Sequence, residues 1–113
     1  MKQFNKYEFL TELREDLISE CANLYSRDID ENEIQNSLND FVHSYIDNKC
    51  IYYADCWVIC YELASSDFEI EQTGETAKNI TELAYWSLYD LSYEIDIDLL
   101  IQSAKPVTQN NNN

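Results

Sequence analysis

The sequence contains only one glycine and one proline, Gly74 and Pro106, among its 113 residues. Folds built from short strands need many turn residues, so this scarcity argues against an all-β protein and favours long helices. No apolar run reaches the ~20 residues of a membrane-spanning helix, and the N-terminal "MKQFNKYEFL" lacks the apolar stretch of a secretion signal. We therefore expect a cytoplasmic protein that has no membrane partner.

Basic residues are also few, since 7 Lys and Arg face 22 Asp and Glu, for a net charge of −15 and a pI near 4.1. Such a chain repels nucleic acid and anionic membranes and attracts basic surfaces. Disordered acidic chains are poor in aromatic residues, whereas 13% of this sequence is Phe, Trp or Tyr. We expect one folded acidic domain over residues 1–105 and a disordered tail over 106–113.

Apolar spacing and capping residues predict an all-α domain of four helices, over residues 5–25, 31–47, 52–65 and 75–103. Asp30, followed by Glu33, is a typical N-cap for the second helix. The last helix would be a single rod of about 42 Å that Pro106 ends. In the first helix, apolar residues recur every three or four positions and predict a buried stripe of Leu10, Leu13, Leu17, Cys21 and Leu24.

The short central helix, within "IYYADCWVICYEL", is apolar nearly all round. On a helical wheel Cys56 and Cys60 lie to one side, and Ala54, Trp57, Val58 and Tyr61 lie to the other. A helix of this kind must be covered on both sides. The second side requires either the long last helix of the same chain or a second subunit, and the sequence leaves both open.

Carboxylates recur every four residues along two of the predicted helices. One row is Glu8, Glu12, Asp16 and Glu20, and the other is Asp90, Glu94 and Asp98. Like charges at this spacing destabilise a helix by about 0.2–0.5 kcal/mol per pair, so selection for helix stability alone would favour alternation with lysine. The rows could simply be solvated faces. They could also stand in for DNA phosphates, because one i,i+4 step of ~6 Å is close to the spacing of successive phosphates on one strand.

Residues with catalytic or metal-binding chemistry are sparse. His43 is the only histidine, and a structural role suits it better than a catalytic one. Cys50, Cys56 and Cys60 have no recognised zinc spacing, so these cysteines and Cys21 are expected to be reduced thiols in the core. We therefore expect no enzyme activity, no cofactor and no metal.

From Asp28 to about Leu100 the sequence resembles the Ocr family of phage DNA-mimic antirestriction proteins. The similarity rests on four segments that occur in the same order with similar separations: "DIDENEIQNSLNDFVHSYIDN", "YYAD" followed by Trp57, "SSDFEIEQTGE" and "IDIDLL". The first helix matches only as an acidic amphipathic helix. The acidic tail of the family is replaced by "AKPVTQNNNN" and the total charge is milder, which implies weaker or more salt-sensitive binding.

The resemblance implies an elongated acidic homodimer, without cofactor, shaped like bent B-form DNA. It would occupy the DNA-binding groove of Type I restriction-modification enzymes in the host cytoplasm and so protect phage DNA. Its subunits would join through Ala54, Trp57, Tyr61 and Ile80. The DNA-mimic surface would comprise Glu8, Glu12, Asp16, Glu20, Asp28, Asp30, Glu31, Glu33, Asp40, Glu75, Glu82, Asp90, Glu94 and Asp98.

Three other functions remain open on the sequence. The chain could inhibit another DNA-binding defence complex, such as a BREX system or a CRISPR effector. It could be an acidic interaction or immunity module that binds one basic partner. The third alternative is a small metal-binding or redox protein that uses its cysteines. In a monomer, Trp57 and Tyr61 would simply pack under the last helix.

Overall fold

The computed structural model describes residues 3–63 and 80–105, which form five α-helices and no strand. The helices are α1 (Lys6–Ser26), α2 (Glu31–Lys49), α3 (Tyr53–Leu63), α4 (Ile80–Ser92) and α5 (Ile97–Ala104). The all-helical prediction is confirmed, although five helices replace the expected four. The predicted start of the last helix at Glu75 and the predicted tail over 106–113 lie outside the described residues.

Local capping and apolar spacing account for α1. Asn5 is its N-cap, and the Asn5 side-chain oxygen accepts hydrogen bonds from the backbone N–H groups of Tyr7 (2.9 Å) and Glu8 (3.1 Å). The helix ends in a turn where Asp28 adopts φ 57°, a left-handed conformation that Asp tolerates better than most residues. The buried stripe is Phe9, Leu13, Leu17, Cys21 and Leu24, so Phe9 takes the place predicted for Leu10.

Helix α2 also has a regular apolar period, and it packs against α1. Asp30 occupies the predicted N-cap position, but its side chain makes no capping hydrogen bond. The helix continues to Lys49, two residues beyond the predicted end. Its buried positions repeat every four residues and face α1, α4 and α5; they are Ile34, Leu38, Val42 and Ile46.

The most extensive helix–helix contact joins α3 to α4. Cys56, Ile59 and Cys60 form the buried side of α3, as the helical wheel predicts for the two cysteines. On α4 the matching row is Ile80, Ala84 and Leu88, each fully buried. Cys60 Sγ lies 3.8 Å from the Ile80 carbonyl oxygen, so this buried thiol packs directly against the start of α4.

The predicted single rod at the C-terminal end is wrong, because α4 and α5 are separated by a turn over residues 93–96. Asp96 is the N-cap of α5, and its side-chain oxygen accepts a hydrogen bond from the backbone N–H of Leu99 at 3.0 Å. Ile95, within the turn, is 5% exposed. The break thus buries Ile95, and α5 packs its own apolar residues against α1 and α2.

One apolar cluster includes residues of all five helices, so the described residues share a single core. Within residues 3–63 and 80–105, no helix combines the length and the apolarity that a membrane crossing requires.

Candidate functional site

The row of carboxylates on α1 is present on one uninterrupted helix. Glu8, Glu12 and Asp16 are exposed and Glu20 is half-buried, all at i,i+4 spacing within Lys6–Ser26. The side chains therefore follow one another along the same face of the helix at a rise of ~6 Å. This face offers regularly spaced negative charge on a rigid support.

Glu12 differs from the other members of this row because it also holds α1 against α2. The Tyr45 hydroxyl donates a hydrogen bond to Glu12 Oε1 at 3.0 Å, and Lys49 Nζ lies 3.5 Å from the same oxygen. Burial raises the pKa of Tyr45, and the hydrogen bond to Glu12 raises it further. Because the Lys49–Glu12 pair is well exposed, it contributes only about 0–1 kcal/mol to the free energy of unfolding.

The predicted second row is broken by the turn between α4 and α5. Asp90 is on α4, Glu94 is in the turn and Asp98 is on α5, so the three carboxylates do not share one helical face. All three are nevertheless exposed. Asp98 lies against α2, where its Oδ1 accepts a hydrogen bond from the Gln35 side chain at 3.1 Å.

The acids around α2 form a surface rather than a row. Asp28, Asp30, Glu33 and Asp40 are exposed, as is Glu82 on α4, whereas Glu75 lies outside the described residues. Glu31 is half-buried and joins α2 to the C-terminal end of α5. Its Oε1 accepts a hydrogen bond from the Gln102 amide at 3.0 Å, and its Oε2 lies 3.3 Å from Lys105 Nζ.

Internal pairing leaves most of the negative charge of the described residues on the surface. These residues contain 18 carboxylates and five Lys or Arg, and 15 of the 18 carboxylates are exposed. The two salt bridges between described residues engage Glu12 and Glu31. The surface therefore retains a strong attraction for cationic partners.

The face of α3 predicted to join two subunits is largely open. Ala54 is exposed, Tyr61 is 66% exposed and Trp57 is half-buried. A groove of about 1040 Å³ lies beside this face, where Phe4 from the start of the chain forms part of the wall. Ile80 is fully buried, with its carbonyl oxygen 3.8 Å from Cys60 Sγ. It is therefore removed from the predicted patch, because its side chain packs inside one chain.

The cysteines are buried free thiols. Burial, with a smaller contribution from the neighbouring Cys56, raises the pKa of Cys50 and of Cys60 to about 12. Thiols held in the neutral form are poor nucleophiles and poor metal ligands. In the part of the chain that the structure describes, no three His, Cys, Asp or Glu side chains converge in a metal-binding arrangement.

Sequence reasoning missed an aromatic stripe at the C-terminal end of α4, formed by Trp86 and Tyr89 of that helix and Tyr93 of the turn that follows. The ring centroids of Trp86 and Tyr89 are 5.5 Å apart, and those of Tyr89 and Tyr93 are 5.2 Å apart. Trp86 is 51% exposed and Tyr93 is 72% exposed. The spacing of three and four residues is visible in "YWSLYDLSY", but periodicity does not reveal which face of a helix is covered.

His43 supports the inner side of this stripe. Its ring is 4.7 Å from the Tyr89 ring in an edge-to-face arrangement, and its Nδ1 hydrogen-bonds with the Tyr85 hydroxyl. His43 is half-buried between α2 and α4, which agrees with the structural role predicted for it. The contact fixes Tyr89 in position, so the aromatic stripe rests on a packed base.

Comparisons of the chain with protein-family models, with curated proteins and with solved structures find no match. The resemblance to the Ocr family therefore stays a prediction.

Proposed function

We propose that the chain is a DNA-mimic inhibitor that occupies the DNA-binding groove of a Type I restriction-modification enzyme and so protects phage DNA in the host cytoplasm. The observation that carries the proposal is the row of carboxylates along α1, set on a surface where exposed acids far outnumber bases. The inhibitor would need neither catalysis nor a cofactor, because occupation of the groove is enough to exclude DNA.

The density of negative charge on the surface limits how closely the protein can resemble a DNA duplex. With 21 residues, α1 is about 31 Å long. A B-form duplex of that length carries about 18 phosphate charges. The row on α1 carries four, so one helix replaces only part of one strand. The acids of α2, α4 and α5 must contribute as well, and the attraction should fall steeply with added salt.

The proposal includes a homodimer joined through the exposed face of α3, with Ala54, Trp57 and Tyr61 at the contact. The exposure of Tyr61 and the groove beside this face support that arrangement. A second subunit would double the acidic surface and extend it. Large aromatic side chains of this kind are enriched at interfaces, where their burial supplies much of the binding energy.

The decisive experiment is competition between this protein and a fluorescent duplex for a purified Type I enzyme, measured by anisotropy over a series of salt concentrations. The native chain should displace the duplex, and its apparent affinity should fall as salt rises. A native chain that never displaces the duplex would show that the proposed function is wrong.

A matched pair of triple variants tests the row on α1. The first carries Glu8→Gln, Asp16→Asn and Glu20→Gln, and it keeps Glu12 because that residue holds α1 against α2. The second removes the same three charges elsewhere, through Glu15→Gln, Asp47→Asn and Glu62→Gln. We expect the first variant to lose about tenfold more affinity than the second, at a few tenths of a kcal/mol to 1 kcal/mol per surface contact.

Equal losses in the two variants would mean that net charge, and not the row, attracts the enzyme. If one single substitution abolishes binding, the energy is concentrated in a hot spot. That result would favour the alternative function, an acidic interaction module with one basic partner.

A further inference from the structure

The aromatic stripe of Trp86, Tyr89 and Tyr93 lies outside the predicted DNA-mimic surface, although two acids of that surface flank it. An exposed indole and an exposed phenol at van der Waals distance from the same central ring are unusual on a soluble surface that is otherwise rich in carboxylates. Tyr89 is held from below by His43, so the stripe presents its rings in a fixed arrangement.

Carboxylates alternate with these rings along α4. Glu82, Trp86 and Asp90 follow one another at i,i+4, and Tyr93 lies three residues after Asp90. The i,i+4 spacing places both acids on the same face of α4 as Trp86, and Tyr93, in the turn that follows, joins the stripe through its ring contact with Tyr89. The residues of α4 include no Lys or Arg, so neither acid has a cation on its own helix.

A guanidinium group fits this combination of rings and acids. Arginine is planar, stacks on the faces of Trp and Tyr, and can donate two parallel hydrogen bonds to one carboxylate. Lysine carries the same charge but offers neither the planar stack nor the two-pronged hydrogen bond. The surface can therefore distinguish two side chains that a purely electrostatic surface would treat alike.

A second copy of the chain is a poorer occupant of the same face. Stacking two stripes against each other would bring together Glu82 and Asp90 from both copies. Like charges brought together in this way oppose association. Charge complementarity therefore favours a cationic partner over self-association.

We infer that Trp86, Tyr89 and Tyr93, together with Glu82 and Asp90, bind arginine side chains of a basic partner protein. The inference rests on the proposed function only for the identity of that partner, since DNA-binding surfaces contain arginine for phosphate and base contacts. The contact chemistry itself depends only on α4 and the turn that follows it.

The test uses the full chain and two peptides of about ten residues that differ only in having arginine or lysine at every basic position. Binding is measured by calorimetry at low and moderate salt. Cation–π contacts at two exposed rings should make the arginine peptide bind roughly tenfold more tightly than the lysine peptide. Equal affinities for the two peptides would overturn the inference.

The matched variants separate ring chemistry from charge. Trp86→Ala with Tyr93→Ala should abolish the preference for arginine, so that the two peptides bind with equal affinity, because the stacking rings are lost and no charge is altered. Tyr7→Ala, at an equally exposed tyrosine on α1, should keep the preference. Far-UV circular dichroism checks that each variant is folded. A preference that persists without Trp86 and Tyr93 would contradict the assignment.

Two further outcomes distinguish this inference from the proposed function. A chain that prefers the arginine peptide but never displaces DNA from a Type I enzyme would support the arginine site and refute the proposed function. A chain that displaces DNA without preferring arginine would do the reverse. Loss of a dimer on Trp86→Ala would show that a second copy covers the stripe, and it would overturn the inference.

Discussion

Replacement of Asp16 by asparagine should stabilise the folded chain, because Asp16 lies between two like charges on the same face of α1. Glu12 and Glu20 are each four residues away within the uninterrupted helix. Each such pair costs about 0.2–0.5 kcal/mol, so removing both pairs should raise the free energy of unfolding by about 0.4–1 kcal/mol. Lys49 already offsets part of the charge on Glu12, which places the expected gain in the lower half of that range.

Asp40→Asn is the matched control for this measurement. Asp40 is also exposed and lies inside α2, but no acidic residue occurs three or four positions from it. Both variants remove one negative charge and place asparagine in a helix interior. Urea denaturation followed by circular dichroism, at mildly alkaline pH where histidine is ordinarily neutral, gives the free energy of unfolding of each.

Asp16→Asn should exceed Asp40→Asn by several tenths of a kcal/mol at low salt. The difference should shrink at about 1 M salt, where the Debye length is only ~3 Å. Equal stabilities at low salt would show that repulsion between the carboxylates of the row does not destabilise α1. The row would then need no explanation beyond helix stability.

Three other perturbations have expected outcomes. Ile80→Asp should unfold the chain, as seen by circular dichroism, because an unpaired buried charge costs several kcal/mol. Tyr61→Asp, at an exposed position, should stay folded and, if α3 joins two subunits, yield a monomer by light scattering. Asp96→Ala should lower the free energy of unfolding by about 1 kcal/mol through loss of the N-cap of α5, and an unchanged urea midpoint would contradict this. Burial raises the pKa of Cys50 and Cys60 from 9.0 to about 12, so these thiols ionise at a lower pH in the unfolded chain than in the folded chain. They should leave the free energy of unfolding unchanged below about pH 9 and lower it as the pH rises through 12. Cys60→Ala should reduce that loss of stability in a series of alkaline unfolding measurements.

The first two helices were predictable to within two residues because local signals define them. Asp30 occupies its predicted N-cap position, and the apolar residues of both helices keep one period. The division of α3 into two sides was predictable as well, since the wheel separates Cys56 and Cys60 from Ala54 and Tyr61, but the wheel left open what covers the second side. These features depend on sequence neighbours alone.

The last helix was mispredicted because its apolar period continues across the break. Leu91, Ile95 and Leu99 are four residues apart and suggest a continuous stripe, whereas Ile95 lies in the turn and Leu99 is 63% exposed. Asp96 is a residue type that often caps a helix, but whether it begins a new helix or continues the old one depends on whether α5 can pack on α1 and α2. Burial of Ile80 and exposure of Trp86 likewise depend on packing that periodicity does not specify.

Lys49 has a consequence for any cation that approaches the row on α1. Its ammonium group is attached to the same molecule and already lies beside Glu12, so it behaves as a tethered counterion. An incoming arginine must exchange with it, as protein cations exchange with condensed ions on a duplex. Because the displaced lysine remains bound to the chain, that exchange releases no free ion and gains less entropy, and Glu12 should add less to the salt dependence of binding than Glu8 or Asp16.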